Sequence, residues 1–205
     1  MTHAVAPPQF LLVWPNEALE IDSSVLQGLW TEAIYLKLTD QTNRMIEFTD
    51  GVVEVLPMPT RYHQAISLLL MLKLLTYIQP RGGVVYYAPL RLQIRPGKYR
   101  EPDILLLRDV NDPRNQDAAW LGADLVIEIV SPHDPERDTV TKRIDYAEAA
   151  IPEYWIVNPI DQTITVLAFE NDTYSAHGRF HRNEDATSLL LAGFSVSVAE
   201  VFDAQ

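Results

Sequence analysis

The sequence contains no cysteine, so a disulfide framework and a cysteine-ligated zinc site are both excluded. Long apolar runs are also lacking: the longest, residues 68–75, is interrupted by Lys73 and is far too short to span a bilayer. Residues 1–10 show no basic segment followed by an apolar run. We therefore expect no signal peptide and no membrane segment, and we predict a cytoplasmic protein.

Positive charge is scarce, since 16 Lys and Arg side chains face 28 Asp and Glu side chains and leave a net charge of −12. This balance argues against a protein that coats nucleic acid through bulk charge. It remains compatible with an enzyme that brings DNA to a carboxylate–metal site, where the ion supplies positive charge locally. The length of 205 residues and the apolar content of 47% indicate a globular domain with a real core.

The N-terminal region differs in pattern from the rest of the chain. Residues 1–16 are Pro-rich and unpatterned, which indicates a loosely held arm, and residues 17–27 give a weak helix signal. A second weak helix signal covers residues 31–39. We therefore expect an N-terminal arm and helix over residues 1–30 and a single domain over residues 31–205.

Helix and strand signals follow one another in the remainder. Asp50-Gly51 supplies the positive φ that a hairpin turn needs between residues 44–48 and 52–56. The clearest helix, residues 62–79, is apolar nearly all round, so it requires cover on more than one side, from the sheet and from the N-terminal helices or a second subunit. Further predicted elements are strands at 84–94, 103–107 and 125–130, a helix at 138–150 capped by Asp138, a strand at 153–157, a hairpin at 164–169 and 173–179, and a strand at 194–198.

The strand, helix and strand over residues 125–157 imply a parallel crossover. We therefore predict an α/β domain with a mixed sheet. Two carboxylates stand out against this frame: Asp103 opens an apolar strand directly after Pro102, and Glu128 lies inside another. A carboxylate in a buried strand is costly unless it is paired or binds a cation. If the two strands are neighbours, both carboxylates meet at one edge of the sheet, where their hard oxygens suit magnesium.

A cation follows on the next helix. Lys142 shares a helix face with Asp138 and Tyr146 by four-residue spacing, and the crossover brings the first turns of this helix near the end of the Glu128 strand. The ordered set and its flanks are Pro102-Asp103, Glu128-Ile129-Val130-Ser131, Lys142, residues 151–157, and upstream Glu47 to Gly51, Glu54 and His63-Gln64. This set resembles the Uma family of restriction-endonuclease-like proteins in the PD-(D/E)XK nuclease superfamily, over roughly residues 30–200.

The resemblance implies a restriction-endonuclease-like mixed β-sheet core in the order αβββαβ, flanked by helices and extended by extra β-hairpins. It also implies a metal-dependent endonuclease that hydrolyses DNA phosphodiester bonds as a homodimer, with Mg²⁺ as cofactor and Mn²⁺ as a substitute. The superfamily motif places a Lys two positions after the strand acid, where this chain has Val130. The resemblance implies that Lys142 takes over that role from the following helix.

Site roles follow from the resemblance in the same way. Asp103 and Glu128 would bind the metal, with the backbone carbonyl of Ile129 as an additional ligand and Glu54 or His63 completing the shell. Lys142 would orient or activate the attacking water and offset the charge that develops on the phosphate.

Structural alternatives stay open for each of these residues. In the alternative for the two acids, Glu128 would pair with a buried Arg or Lys and Asp103 would be a strand-edge turn residue. In the alternative for Lys142, it would pair with Asp138 on a solvated face. His63 would cap or pack the helix start, and Glu54 would face solvent. Val130 and the acidic surface favour a second function, a catalytically inactive nuclease-fold protein that acts as a binding or interaction module. A third is another metal-dependent hydrolase that uses the same carboxylate pair.

Overall fold

The computed structural model of the protein describes residues 9–14, 17–132 and 134–204. In chain order its elements are β1 (Gln9–Trp14), β2 (Glu17–Asp22), α1 (Glu32–Thr39), β3 (Ile46–Thr49), β4 (Val52–Val55), α2 (Arg61–Ile78), β5 (Val84–Tyr87), β6 (Leu92–Arg95), β7 (Lys98–Arg100), β8 (Ile104–Leu107), β9 (Leu125–Ile129), α3 (Lys142–Glu148), β10 (Glu153–Asn158), β11 (Thr163–Glu170), β12 (Thr173–Phe180), β13 (Asp185–Thr187), β14 (Ser195–Ser197) and α4 (Val198–Phe202). The chain divides into two units, Met1–Pro57 with Gly97–Tyr99, and Met58–Pro96 with Arg100–Gln205. The domain boundaries predicted at residues 1–30 and 31–205 stay a prediction.

The first unit begins with a hairpin in which β1 and β2 pair antiparallel. The helix predicted over residues 17–27 is therefore wrong: β2 and a short 3₁₀ turn, Ser23–Leu26, occupy this stretch. Glu, Ala and Leu favour a helix locally, but backbone pairing with β1 overrides that preference. Part of the predicted arm is also a strand, β1, and the arm residues 1–8, 15 and 16 lie outside the described residues.

The predicted hairpin of the first unit is confirmed. β3 and β4 pair antiparallel, and Asp50 and Gly51 between them both have positive φ values, of 46° and 90°. This is the backbone that a tight turn between twisted strands needs. β7 extends the hairpin through the pairing of Phe48 with Tyr99, and the rings of Tyr35 and Phe48 stack with centroids 5.0 Å apart.

A six-stranded sheet forms the centre of the second unit, in the order β12-β11-β10-β9-β8-β5. β9 and β10 pair parallel and the other neighbours pair antiparallel, so the predicted mixed sheet and the crossover through α3 are confirmed. One face of the sheet packs in a core with Ile66, Leu70 and Leu74 of α2. The other face packs with Tyr146 of α3. The sheet therefore lies between two helical layers.

One further prediction on secondary structure needs correction, and another is confirmed. The strand predicted at 84–94 is split into β5 and β6, because Pro89 lies between them and has no backbone N–H to donate to a ladder. The helix predicted at 62–79 is confirmed as α2, and part of its second side is covered by α4, since Lys73 pairs with Glu200 at 2.7 Å. Within the described part of the chain, no helix is both long and apolar enough to cross a membrane.

Candidate active site

Asp103 and Glu128 lie across from each other on neighbouring strands. β8 and β9 are antiparallel with Ile104 opposite Ile127, and continuing this register by one residue places Asp103 opposite Glu128. Directly opposed residues of an antiparallel pair have Cβ atoms about 4.5–5.5 Å apart and share a face of the sheet. Both carboxylates are buried. The structure thus brings together the two acids that the sequence singled out.

The backbone of Ile129 takes part in this arrangement through its amide. The N–H of Ile129 donates to Oδ2 of Asp103 at 2.7 Å, which ties the first acid to the strand that carries the second. The carbonyl of Ile129 as a metal ligand stays a prediction.

Lys142 reaches the same place from the crossover helix. Its Nζ is 2.7 Å from Oε1 of Glu128 and 3.3 Å from Oδ1 of Asp138, and its side chain is only 5% exposed. Tyr146, one turn further along α3, donates its hydroxyl to the same Oε1. The pairing of Lys142 with Asp138 therefore exists, but the solvated face proposed for it does not. The buried cation that a structural role of Glu128 would require is Lys142 itself.

Asp138 does not cap the helix, so that prediction is wrong. It lies in a π-helical turn, Arg137–Thr141, that precedes α3, and its Oδ2 accepts a hydrogen bond from the backbone N–H of Ser131 at 3.3 Å. The N–H of Arg137 is instead accepted by Asp134 at 3.3 Å. Four-residue spacing puts Asp138 on the face of Lys142, and its Oδ1 lies 3.3 Å from the Lys142 ammonium.

Val130 occupies the position where the nuclease motif has its lysine. It is buried in the core with Val126 and Tyr146, on the face of the sheet that Glu128 shares. A lysine there would have to reach solvent or the acids through packed side chains. The ammonium at the site comes from α3 instead, as the family resemblance implies.

His63 contacts Asp103 directly. It belongs to the first turn of α2, where Thr60 caps its backbone N–H at 3.1 Å, and its Nε2 is 3.1 Å from Oδ2 of Asp103. Burial works against the charged imidazole, but the hydrogen bond and the charge of Asp103 outweigh it and raise the pKa of His63. The ring nitrogen that faces the site is thus engaged with a carboxylate, and metal ligation by His63 stays a prediction.

Glu54 lies on the exposed face of β4 in the first unit, opposite Glu47 in the register. This placement matches the solvent-facing alternative for Glu54, and its role as a metal ligand stays a prediction.

Negative charge dominates the electrostatics of the site. The pKa of Glu128 is raised to about 8, chiefly by burial; the charge of Lys142 works against this rise, and the charges of Asp103 and Asp138 add to it. Burial likewise raises the pKa of Asp138. When all these groups are ionised, Glu128 and Asp138 contact the ammonium of Lys142 and Asp103 contacts the imidazolium of His63, so the carboxylates still outnumber the cations.

The donor set fits magnesium. Protein donors hold Oδ2 of Asp103 and Oε1 of Glu128, so the second oxygen of each carboxylate is the one that would be offered to an ion. Across residues 9–14, 17–132 and 134–204, no three His, Asp or Glu side chains are placed to enclose an ion. Mg²⁺ is commonly bound by one or two carboxylates while it retains several waters, which is the ligand supply present here.

Sequence reasoning underrated two residues of this site. Asp138 and Tyr146 were visible only as four-residue neighbours of Lys142, and that spacing is the signal that could have assigned them to the cluster. Asp138 was instead interpreted as a helix cap.

The comparisons with known proteins identify the fold and the family of the chain. A solved structure from Anabaena variabilis ATCC 29413, described as a "putative nuclease belonging to DUF820", aligns with 82% of this chain and 96% of its own, with a TM-score of 0.68 and 19% sequence identity. At that identity the likeness shows a shared fold. No curated protein matches the chain. The family model described as "Putative restriction endonuclease" matches residues 33–199, so the chain belongs to the Uma2 family.

Proposed function

We propose that the protein is a magnesium-dependent endonuclease that hydrolyses phosphodiester bonds in DNA, with Mn²⁺ as a substitute ion. The observation that carries this proposal is the meeting of Asp103 and Glu128 across two strands, with the ammonium of Lys142 at 2.7 Å from Glu128. Membership of a family described as restriction endonucleases supports the choice of DNA as substrate.

Each residue of the cluster has a definite task in this proposal. Asp103, held by Ile129 N–H and by His63, would offer Oδ1 to the ion, and Glu128 would offer Oε2. When bound, the ion supplies Lewis acidity and lowers the pKa of a coordinated water. Lys142 holds a fixed positive charge at a buried place where the scissile phosphate gains charge, and such preorganised charges are strongest where water is excluded.

DNA cleavage tests this proposal. Purified protein is incubated with supercoiled and linear DNA in the presence of Mg²⁺, Mn²⁺ or EDTA, alongside Asp103→Asn and a control, Asp161→Asn. Asp161 forms a surface pair with Arg179 at 2.6 Å, so its change removes the same charge outside the site. We expect cleavage that requires metal, is reduced about 10²-fold or more by Asp103→Asn and is retained in Asp161→Asn.

Activity that survives Asp103→Asn, or that persists in EDTA, would overturn the assignment. Retention of DNA without cleavage, at every metal tested, would instead support the inactive binding module that Val130 and the acidic surface favour. Cleavage of non-nucleic phosphoesters alone would point to a different metal-dependent hydrolase.

We also propose a homodimer that packs through α2. Leu68 and Leu72 lie one turn apart on this helix and are 60% and 52% exposed, so a second copy can bury them. Light scattering at micromolar concentration should give twice the monomer mass, and Leu68→Glu with Leu72→Glu should halve it. Ile160→Glu, which alters another exposed apolar residue, is the control. A monomeric wild type would contradict the proposal.

A further inference from the structure

Three buried polar side chains line the inner face of the crossover helix. Asp138, Lys142 and Tyr146 follow one another at four-residue intervals, and all three are buried. Two of them donate to one atom: Oε1 of Glu128 accepts from the ammonium of Lys142 at 2.7 Å and from the hydroxyl of Tyr146. Lys142 and Tyr146 on this face are therefore both hydrogen-bond partners of Glu128.

Tyr146 is itself held firmly. Its ring meets the ring of Tyr154 edge to face with centroids 5.0 Å apart, and Tyr154 donates its hydroxyl to the backbone carbonyl of Asp138 at 2.6 Å. Because the ring of Tyr146 is completely buried, its hydroxyl cannot turn away to solvent. A donor in such a fixed ring sets the orientation of the carboxylate that accepts from it.

Two donors, Lys142 and Tyr146, both contact Oε1 of Glu128. A carboxylate held by one oxygen in this way would offer its other oxygen, Oε2, to an ion. The hydroxyl of Tyr146 is also uncharged, so it orients the carboxylate of Glu128 without repelling a cation. A second ammonium in its place would repel one. Lys142 thus contributes charge and orientation, whereas Tyr146 contributes orientation alone.

We propose that Tyr146 is a positioning residue that holds Glu128 by Oε1 and so presents Oε2 to the metal ion. This inference rests on the proposed metal-dependent function of the same site. A merely structural role for Tyr146, as a core ring with a satisfied hydroxyl, makes a different prediction: its removal would change stability and leave metal affinity unaltered.

The test compares Tyr146→Phe with Tyr174→Phe in the full chain. Phenylalanine keeps the ring of Tyr146 and its packing and removes only the hydroxyl. Tyr174 donates its hydroxyl to the backbone carbonyl of Ile151 at 2.7 Å, so Tyr174→Phe removes a comparable buried hydrogen bond that does not involve Glu128. The probe is Mn²⁺ alone, followed by calorimetric titration, with thermal unfolding measured in parallel.

We expect Tyr146→Phe to weaken Mn²⁺ binding about 10- to 100-fold and Tyr174→Phe to leave it at the wild-type value. In a Glu128→Gln background Tyr146→Phe should have no further effect, because the carboxylate that it orients is gone. The apparent KM for Mg²⁺ in DNA cleavage should rise in Tyr146→Phe more than kcat falls.

Equal Mn²⁺ affinity in Tyr146→Phe and wild type would overturn the inference and leave the nuclease proposal intact. If Tyr146→Phe binds Mn²⁺ more weakly but the wild type cuts no DNA, the positioning role is supported and the proposed nuclease function is overturned. A wild type that binds no Mn²⁺ would overturn both.

Discussion

Replacing Lys142 with methionine removes the ammonium between Glu128 and Asp138 while it keeps most of the volume of the side chain. The Nζ atom lies 2.7 Å from one carboxylate and 3.3 Å from the other, and all three side chains are nearly inaccessible to water. Removing one partner of a buried ion pair costs about 3–5 kcal/mol, because the remaining charge is left without compensation. For a chain of this size the melting temperature should fall by roughly 2–4 °C per kcal/mol, or about 6–20 °C in total.

The cost of this substitution should depend on pH with a definite sign. Burial already raises the pKa of Glu128 to about 8 and raises that of Asp138, and Lys142 lowers both. Without Lys142 both pKa values should rise further, so mild acid protonates the carboxylates and removes the buried charge. The loss of stability in Lys142→Met should therefore be largest above pH 8 and should shrink toward pH 5.

Urea unfolding in metal-free buffer at three pH values measures this effect. Lys73→Met is the matched control, because Lys73 pairs with Glu200 at the surface and such pairs contribute about 1 kcal/mol or less. Adding Glu128→Gln to Lys142→Met should recover part of the loss, since one unpaired charge is then absent. A loss in Lys142→Met no larger than in Lys73→Met, or a loss that grows in acid, would refute the reasoning.

Three further predictions concern stability. In metal-free protein, the free energy of unfolding of the wild type relative to Glu128→Gln should fall as pH rises from 4.5 to about 8, because the folded state retains a proton on Glu128 that the unfolded state releases. Urea unfolding at several pH values checks this. A difference in stability that does not change with pH contradicts it. Glu153→Gln should cost about 2 kcal/mol and speed amide exchange at Leu189 and Leu190, whose backbone N–H groups donate to Glu153 at 2.8 Å. Gly51→Ala should cost about 1–3 kcal/mol in thermal unfolding, because φ is 90° and the new Cβ would lie 2.7 Å from the carbonyl oxygen of Gly28; an unchanged melting temperature contradicts it.

Several elements could be predicted because their signals are local. Asp50-Gly51 carries the turn of its hairpin in two residues, and α2 has a predominantly apolar sequence of helical length. The parallel pairing of β9 and β10 followed from the intervening helix alone. In each case the residues that predict the element are close together in the sequence, so no contact between distant parts of the chain is needed to predict it.

Other elements depend on contacts that a pattern does not contain. Residues 138–150 show the period of an amphipathic helix, yet the face that packs on the sheet carries Asp138, Lys142 and Tyr146, while Val140 and Ile144 are 53% and 64% exposed. The period defines the two faces but not which of them turns inward. Here the buried carboxylate of Glu128 attracts the polar face, and that attraction exists only in the assembled sheet. β2 is a similar case, because its pairing with β1 outweighs its local helix preference.

The ammonium of the site comes from the crossover helix and not from the strand that carries Glu128. A ribosome therefore delivers Asp103 and Glu128 as one hairpin before it delivers Lys142, and β10, which seats the helix by pairing with β9, follows later still. In the proposed nuclease, the site is therefore incomplete until Lys142 has been added and β10 has paired with β9. Truncated products that end between residues 128 and 142 carry both acids but no Lys142, so under the proposed function they should not cut DNA.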